Sequence, residues 1–253
     1  SELSSLSAGD LVVHVDHGLR PAAAAAAARV EALASAGGAA VHIARVVVDP
    51  SASLEDAARR ARYGALERYA SLAGLDAVLL AHTASDQAET VIMRLVRGAG
   101  VAGLAAIPAR RGRYLRPLLG LPRQAIEAYL ALHGLDGADD PMNRDPRFLR
   151  ARVRHHLLPL LRQENPRLDE ALGRLAADAA DQRAIGDWAA DELLARAGFA
   201  APPSPSLDLD VLDAAPPALQ RRALARAAER VFGGALAARQ RRALAALAAG
   251  RGG

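Results

Sequence analysis

LLAHTASDQAETVIMRLVRGAG, residues 79–100, decides how the rest of the chain is read. An apolar run gives way to an amphipathic segment, and His82, Asp86 and Glu89 fall at the junction. The first part reads as the end of a buried strand and the second as a helix beginning near Ser85. In open parallel sheets ligands gather beyond the carboxyl ends of the strands, so three ionisable groups at such a place suggest a site. Asp86 would stand in the first helical turn, where the dipole favours its charge, with Glu89 one turn later on the same side. Two such carboxylates could hold a cationic amine or a magnesium ion, and one could accept a proton. The same spacing also describes a capping pair of Thr83 and Asp86 with Glu89 on an exposed helix surface, and spacing alone leaves both readings open.

Outward from this stretch, strands and helices alternate. LVVHV (11–15), VHIARVVV (41–48) and DAVLLAH (76–82) read as strands. The alanine-rich run after DHGLRP and the segment 53–74 read as helices, the second with Ser53 as N-cap and Gly74 as its stop. This order predicts an α/β fold, a doubly wound parallel sheet with helices on both faces, followed by a small all-helical domain. After Pro122 the chain looks entirely helical, and APPSPS (201–206) reads as a linker. Three parts are expected: a catalytic domain over 1–165, a helical connector and linker over 166–206, and a helical module over 207–253.

Composition narrows the function classes. With 253 residues, 51% hydrophobic and 24% charged, the chain can bury a sizeable core. No apolar run reaches the roughly 18–20 residues that span a bilayer, and SELSSLSAGD lacks the regions of a signal peptide, so a cytoplasmic protein with no membrane partner is expected. The absence of cysteine excludes disulfides, thiolate metal sites and sulfur chemistry on a protein thiol. There is no lysine, so all 32 basic residues of the Lys+Arg count are arginine and any phosphate contact from them would be a guanidinium fork. Charge is uneven: residues 94–167 hold fourteen arginines against six acids, and residues 169–213 three against ten. A basic middle beside an acidic stretch fits a polyanion partner, or an ordinary solvated basic face.

Within the basic middle, Arg147, Arg150 and Arg154 fall at steps of three and four, predicting one helical stripe with Leu149, Val153, Leu157 and Leu160 on the opposite side. An arginine stripe held above an apolar one suits phosphates, and a solvent face with a few ion pairs is the plainer alternative. His14 and His17 flank Asp16, but two histidines without a third ligand read better as turn residues than as a metal site.

HVDHGLRP (14–21), SLEDAARRARYGAL (53–66), AHTASDQAETVIMRLVRGAGVAGLAAI (81–107), RPLL (116–119) and DDPMNRDPRFLRARVRHHLLPLL (139–161), in that order, closely resemble the tRNA(Ile)-lysidine synthetases. These are PP-loop ATP pyrophosphatases. The resemblance covers most of residues 11–165, and the helical tail looks like the family's tRNA-contacting domain.

The chemistry implied is ATP-dependent adenylation, with Mg2+, of the wobble cytidine C2 oxygen in the isoleucine tRNA with anticodon CAU. Free L-lysine then displaces AMP to give lysidine. The resemblance implies His82, Asp86 and Glu89 as catalytic residues and Asp86, Glu89, Arg97 and Arg116 as substrate-binding. It implies His17, Arg59, Arg62 and His82 around the nucleotide, and Arg147, Arg150 and Arg154 on tRNA or phosphate. No metal ligand is assigned, and a homodimer is left open.

Two departures stand out. The family's serine-glycine-glycine-x-aspartate-serine nucleotide loop has no counterpart, and SELSSLSAGD resembles the end of the helix that follows it, so the chain is expected to start one strand and most of a helix late. The family's Arg-Asn is Arg150-Ala151 here, which removes an amide contact. The alternatives are a truncated, non-catalytic tRNA-binding remnant, or another PP-loop RNA modifier such as a sulfur transferase, which the lack of cysteine disfavours.

Overall fold

The computed structural model describes residues 11–16, 23–46, 54–135, 145–200 and 205–233. The DHGLRP turn with His17, the cap at Ser53, most of APPSPS and the segment 234–253 lie outside them. The chain divides into two compact units, one of residues 1–83 with 109–143, the other of residues 84–108 with 144–253. The expected boundary near residue 165 lies inside the second unit.

In the first unit, strand β1 (Leu11–Asp16) pairs in parallel with β2 (Ala40–Arg45), in register from Leu11 against Ala40 to Asp16 against Arg45. Parallel neighbours need a crossover, and helix α1 (Ala23–Ala36) supplies it. Gly38, at φ 79°, reverses the chain after α1, and the Ala39 N–H donates to the Ala34 carbonyl at 3.0 Å. Helix α2 (Leu54–Leu72) buries Ala57, Ala65, Leu66 and Ala70, a helical spacing that makes one apolar face. Gly74, at φ 63°, ends the turn after it, as expected from sequence.

The third expected strand is shorter than DAVLLAH suggested. Among the described residues, β3 (Val78–Leu79) pairs in parallel with β5 (Tyr114–Leu115), which turns back antiparallel onto β4 (Arg110–Arg111). The β4–β5 hairpin is an addition to the sequence reading. Its two-residue loop opens on Gly112 at φ 58°, the conformation a tight hairpin demands of glycine. Helix α5 (Arg123–Leu132) follows, and no residue in it is buried.

The second unit is helical among its described residues, apart from an isolated bridge between Ala200 and Ser206. Helix α3 (Ala84–Val96) and the short α4 (Val101–Leu104) pack on α8 (Leu168–Arg196). Between them in sequence come α6 (Leu149–Arg152), a π-helical turn (Val153–Leu157) and α7 (Leu158–Glu164). One apolar cluster joins Ala88, Val91, Ile92 and Met93 of α3 to Val153, Leu158, Leu172 and Ala176.

A second cluster joins Ala190, Leu193 and Leu194 of α8 to Leu212 of α9 (Leu209–Asp213) and to Ala223 and Ala227 of α10 (Pro217–Phe232). Full burial of Leu193 and Leu194 stabilises this end by about 1.5–3 kcal/mol each. At roughly 1.5 Å per residue α8 is about 43 Å long, so its two ends belong to different cores. Residues 180–185 between them are all exposed.

Candidate active site

Helix α3 carries the carboxylates as the spacing predicted, Asp86 in its first turn and Glu89 one turn on. Glu89 is 2% exposed, which excludes the reading in which it decorates an open helix surface. A buried carboxylate needs compensation. Arg150 Nε donates to Glu89 Oε2 at 3.0 Å, and Arg154 donates from Nε to Oε1 at 2.6 Å and from Nη2 to Oε2 at 3.0 Å. Both guanidinium groups also approach Asp86 Oδ1, Arg154 at 3.7 Å and Arg150 at 4.0 Å. Burial opposes the Arg154 charge, but the hydrogen bonds to Glu89 and the charges of Glu89 and Asp86 outweigh it and raise the guanidinium pKa. Two acids and two arginines, distant in sequence, thus form one charge-balanced cluster.

The π-helical turn is what departs from the predicted stripe. Its wider winding shifts the faces after Val153, so Val153 and Leu158 enter the core while Leu157 and Leu160 stay exposed. Arg147 does not join the cluster. It precedes α6 and forks onto Asp145 in solvent, Nη2 to Oδ2 at 2.6 Å, and that hydrogen bonding lowers the Asp145 pKa and raises that of Arg147. Arg97, just past the end of α3, is exposed. Ala151 is buried, so no amide is available where the family places asparagine.

Neighbouring contacts fix α3, and sequence reasoning missed them. Ser85 Oγ donates to Asp169 Oδ2 at 3.3 Å, and Asp169 is itself forked by Arg162 at 3.1 and 2.9 Å. Buried Gln87 acts as a peptide group: its Nε2 donates to the Ile107 carbonyl at 3.1 Å and its Oε1 accepts from the Ile107 N–H at 2.9 Å. That clamp holds the loop containing Ala106, a buried residue at φ 48°. Arg94 adds a hydrogen bond to the Gly103 carbonyl. The local sequence Ser85-Asp86-Gln87-Ala88-Glu89 carries no signal that sets Gln87 apart from its polar neighbours.

The first unit holds the other predicted residues. Arg116 is buried, and its Nη2 donates to the Tyr63 hydroxyl at 3.1 Å. The Arg59 guanidinium lies over the Tyr63 ring, 5.0 Å from its centre, and the Tyr63 and Tyr114 rings meet edge to face at 5.1 Å. Tyr114 donates to Glu67 at 2.9 Å; burial, with the nearby Glu67 carboxylate, pushes its pKa from 10.0 to about 12. Arg62 is exposed, and His82 is half-buried with Nδ1 shielded from solvent. Thus Arg59, Arg62, His82 and Arg116 belong to one unit, and Asp86, Glu89, Arg97, Arg147, Arg150 and Arg154 to the other.

Carboxylate oxygen suits magnesium. However, no group of three or more potential metal ligands occurs among the described residues, and Asp86 and Glu89 face guanidinium groups, so these residues do not compose a magnesium site.

Parallel strand pairs with helices between them make the first unit an α/β fold. The PP-loop domain model matches residues 4–161. The chain belongs to the tRNA(Ile)-lysidine synthase family. It is 46% identical over 182 residues to the tRNA(Ile)-lysidine synthase of Thermobifida fusca (strain YX), covering 70% of this chain and 56% of that one. To that of Leifsonia xyli subsp. xyli (strain CTCB07) it is 41% identical over 241 residues, covering 93% and 72%. To that of Deinococcus deserti it is 44% identical over 194 residues, covering 74% of this chain and 36% of the relative.

Among solved structures, the U34-tRNA thiolase NcsA from Methanococcus maripaludis with its [4Fe-4S] cluster matches at TM-score 0.55 and 16% identity, covering 66% of this chain and 61% of that one. That likeness concerns the fold alone.

Proposed function

We propose that the chain is a tRNA(Ile)-lysidine synthase that adenylates the wobble cytidine of the CAU-anticodon isoleucine tRNA and joins free lysine to it. ATP is consumed, and AMP and diphosphate leave. The observation that supports this most is the Asp86, Glu89, Arg150 and Arg154 cluster within a chain of this family. No helix among the described residues is long and apolar enough to cross a membrane.

Lysine arrives as an ammonium with a reference pKa of about 10.4, so its nitrogen must lose a proton before attack. Asp86, more exposed than Glu89, is assigned to receive the ammonium and then the proton. Glu89 supplies the buried negative charge that holds Arg150 and Arg154 in place. The nitrogen–C2 bond forms as the C2–oxygen bond breaks, and AMP leaves with that oxygen and its electron pair. Loss of the second nitrogen proton completes lysidine. Adenylation builds negative charge on phosphate, which Arg116, Arg59 and Arg62 of the first unit, with His82, are assigned to offset, while Arg97 is assigned to the substrate.

The test is incorporation of labelled lysine into a CAU-anticodon isoleucine tRNA transcript, with AMP measured in the same reaction. Lysine-dependent AMP release and labelled tRNA are expected, and Asp86→Asn should reduce turnover by about 100-fold or more, within the usual range for proton-transfer groups. A chain that makes neither product with isoleucine tRNA would sink the proposal.

A further inference from the structure

The basic residues between Asp145 and Glu164 fall into two classes that their sequence does not distinguish. Arg147 is forked onto Asp145, Arg150 and Arg154 onto Glu89, and Arg162 onto Asp169. Arg152 differs. Its Nη1 donates to the backbone carbonyls of Pro146 at 2.7 Å and Arg147 at 3.0 Å, and among the described residues no carboxylate pairs with it. Its charge is therefore positioned by neutral groups and left uncompensated.

The π-helical turn then displays two further polar rings. His155 and His156 are exposed on this turn, three and four residues beyond Arg152, so all three side chains lie within about one turn of the winding. From Pro146 to Gln163 the sequence contains no acid, and the carboxylates that approach this segment among the described residues, Asp86, Glu89, Asp145 and Asp169, are matched by Arg147, Arg150, Arg154 and Arg162.

We infer that the face formed by Arg152, His155 and His156 is a docking surface for the tRNA substrate, and that Arg150 and Arg154 are not its phosphate contacts. This rests on the tRNA reading given under the proposed function. Charge complementarity selects a polyanion, and the pairing of a fixed guanidinium with exposed imidazole rings selects RNA. A guanidinium meets backbone phosphate, while imidazole can stack on an unpaired base or donate to its edge. Transferring Arg150 or Arg154 to RNA would instead strand the buried Glu89 carboxylate, a cost that Arg152 does not incur.

The two kinds of contact make different predictions for the full 253-residue chain binding a fluorescent isoleucine tRNA transcript over a series of salt concentrations. Arg152→Gln should lower the slope of log affinity against log salt by about 0.7–0.9, one phosphate contact, and Arg152→Lys should restore it. His156→Ala should weaken binding roughly tenfold at every salt concentration and leave the slope unchanged.

If the unaltered chain binds tRNA with a steep salt slope, and the Arg152→Gln/His156→Ala double variant keeps both its slope and its affinity, the surface assignment falls and the proposed function stands. If the unaltered chain shows no salt-dependent tRNA binding, the tRNA reading itself falls. Displacement of the tRNA by polyglutamate at equal charge, with the same sensitivity to Arg152→Gln, would overturn RNA as the occupant.

Discussion

Glu89 is the residue on which the second unit's charge arrangement turns. Both oxygens accept hydrogen bonds from guanidinium groups, and almost none of the side chain meets water. Replacing it by Gln keeps the volume and removes the charge, leaving the half-buried Arg150 and Arg154 with only the more distant Asp86 carboxylate. Glu89→Gln should therefore cost about 3 kcal/mol or more of stability, measured by urea denaturation, where a surface carboxylate would cost less than about 1. Asp86→Asn should cost much less, because its approaches to the same arginines are 3.7 and 4.0 Å.

The spacing itself is visible in the sequence, with Asp86 and Glu89 one turn apart and the arginines at steps of three and four. Their mutual pairing is not. Helical spacing reports which side chains share a face of one element, and it carries no information about the element that face will meet. Arg147 shows the same limit from the other side: it continues the arginine spacing but precedes the helix, so its partner is the local Asp145.

Elements were read correctly where one periodicity ran unbroken and less well where a local irregularity intervened. Helix α2 and its glycine stop followed from composition. The π-helical turn left no periodic signature, because one extra residue changes the phase of everything after it; Leu157 and Leu160 were expected on one apolar stripe with Val153, and they are exposed while Val153 is buried. The β4–β5 hairpin escaped because its strands are two residues each, too short for alternation to show.

Helix α8 offers a direct test at this scale. Gly186 lies inside it, and an added Cβ there would meet nothing within 4 Å. Gly186→Ala should stabilise the chain by about 0.5–1 kcal/mol, read as a higher denaturation midpoint with unchanged slope, because alanine costs less backbone entropy in a helix. A lower midpoint would show that the position is occupied by something other than open solvent.

At the scale of the whole molecule, the α/β class and the helical second part were foreseen, because strand–helix alternation and its cessation after Pro122 are visible in sequence. The division into units was not: residues 84–108 fold with the C-terminal helices, a long-range association that no local pattern encodes.

At the far end of the second unit, apolar contact is reinforced by ion pairs from α10 to α8. Arg226 pairs with Asp191 at 2.8 Å, Arg230 with Asp191 at 2.8 Å, and Arg222 with Asp187. The hydrogen bond from Arg226, with its charge and that of Arg230, lowers the Asp191 pKa below 3.8. A depressed carboxylate contributes stability above its unfolded pKa and loses it as pH falls through the folded value. Thermal unfolding followed by helical circular dichroism should therefore occur at lower temperature below about pH 4. Arg226→Ala should flatten that acid dependence, and an unchanged profile would remove Asp191 from the account.

The unsupported stretch of α8 has a mechanical consequence. Residues 180–185 are all exposed, so bending stiffness there comes largely from the backbone ladder of hydrogen bonds. Ten residues farther on, about 15 Å away, a tilt of about 20° at that stretch would swing Arg196 by about 5 Å. Any small angular change at the middle of this helix would reach its tip magnified.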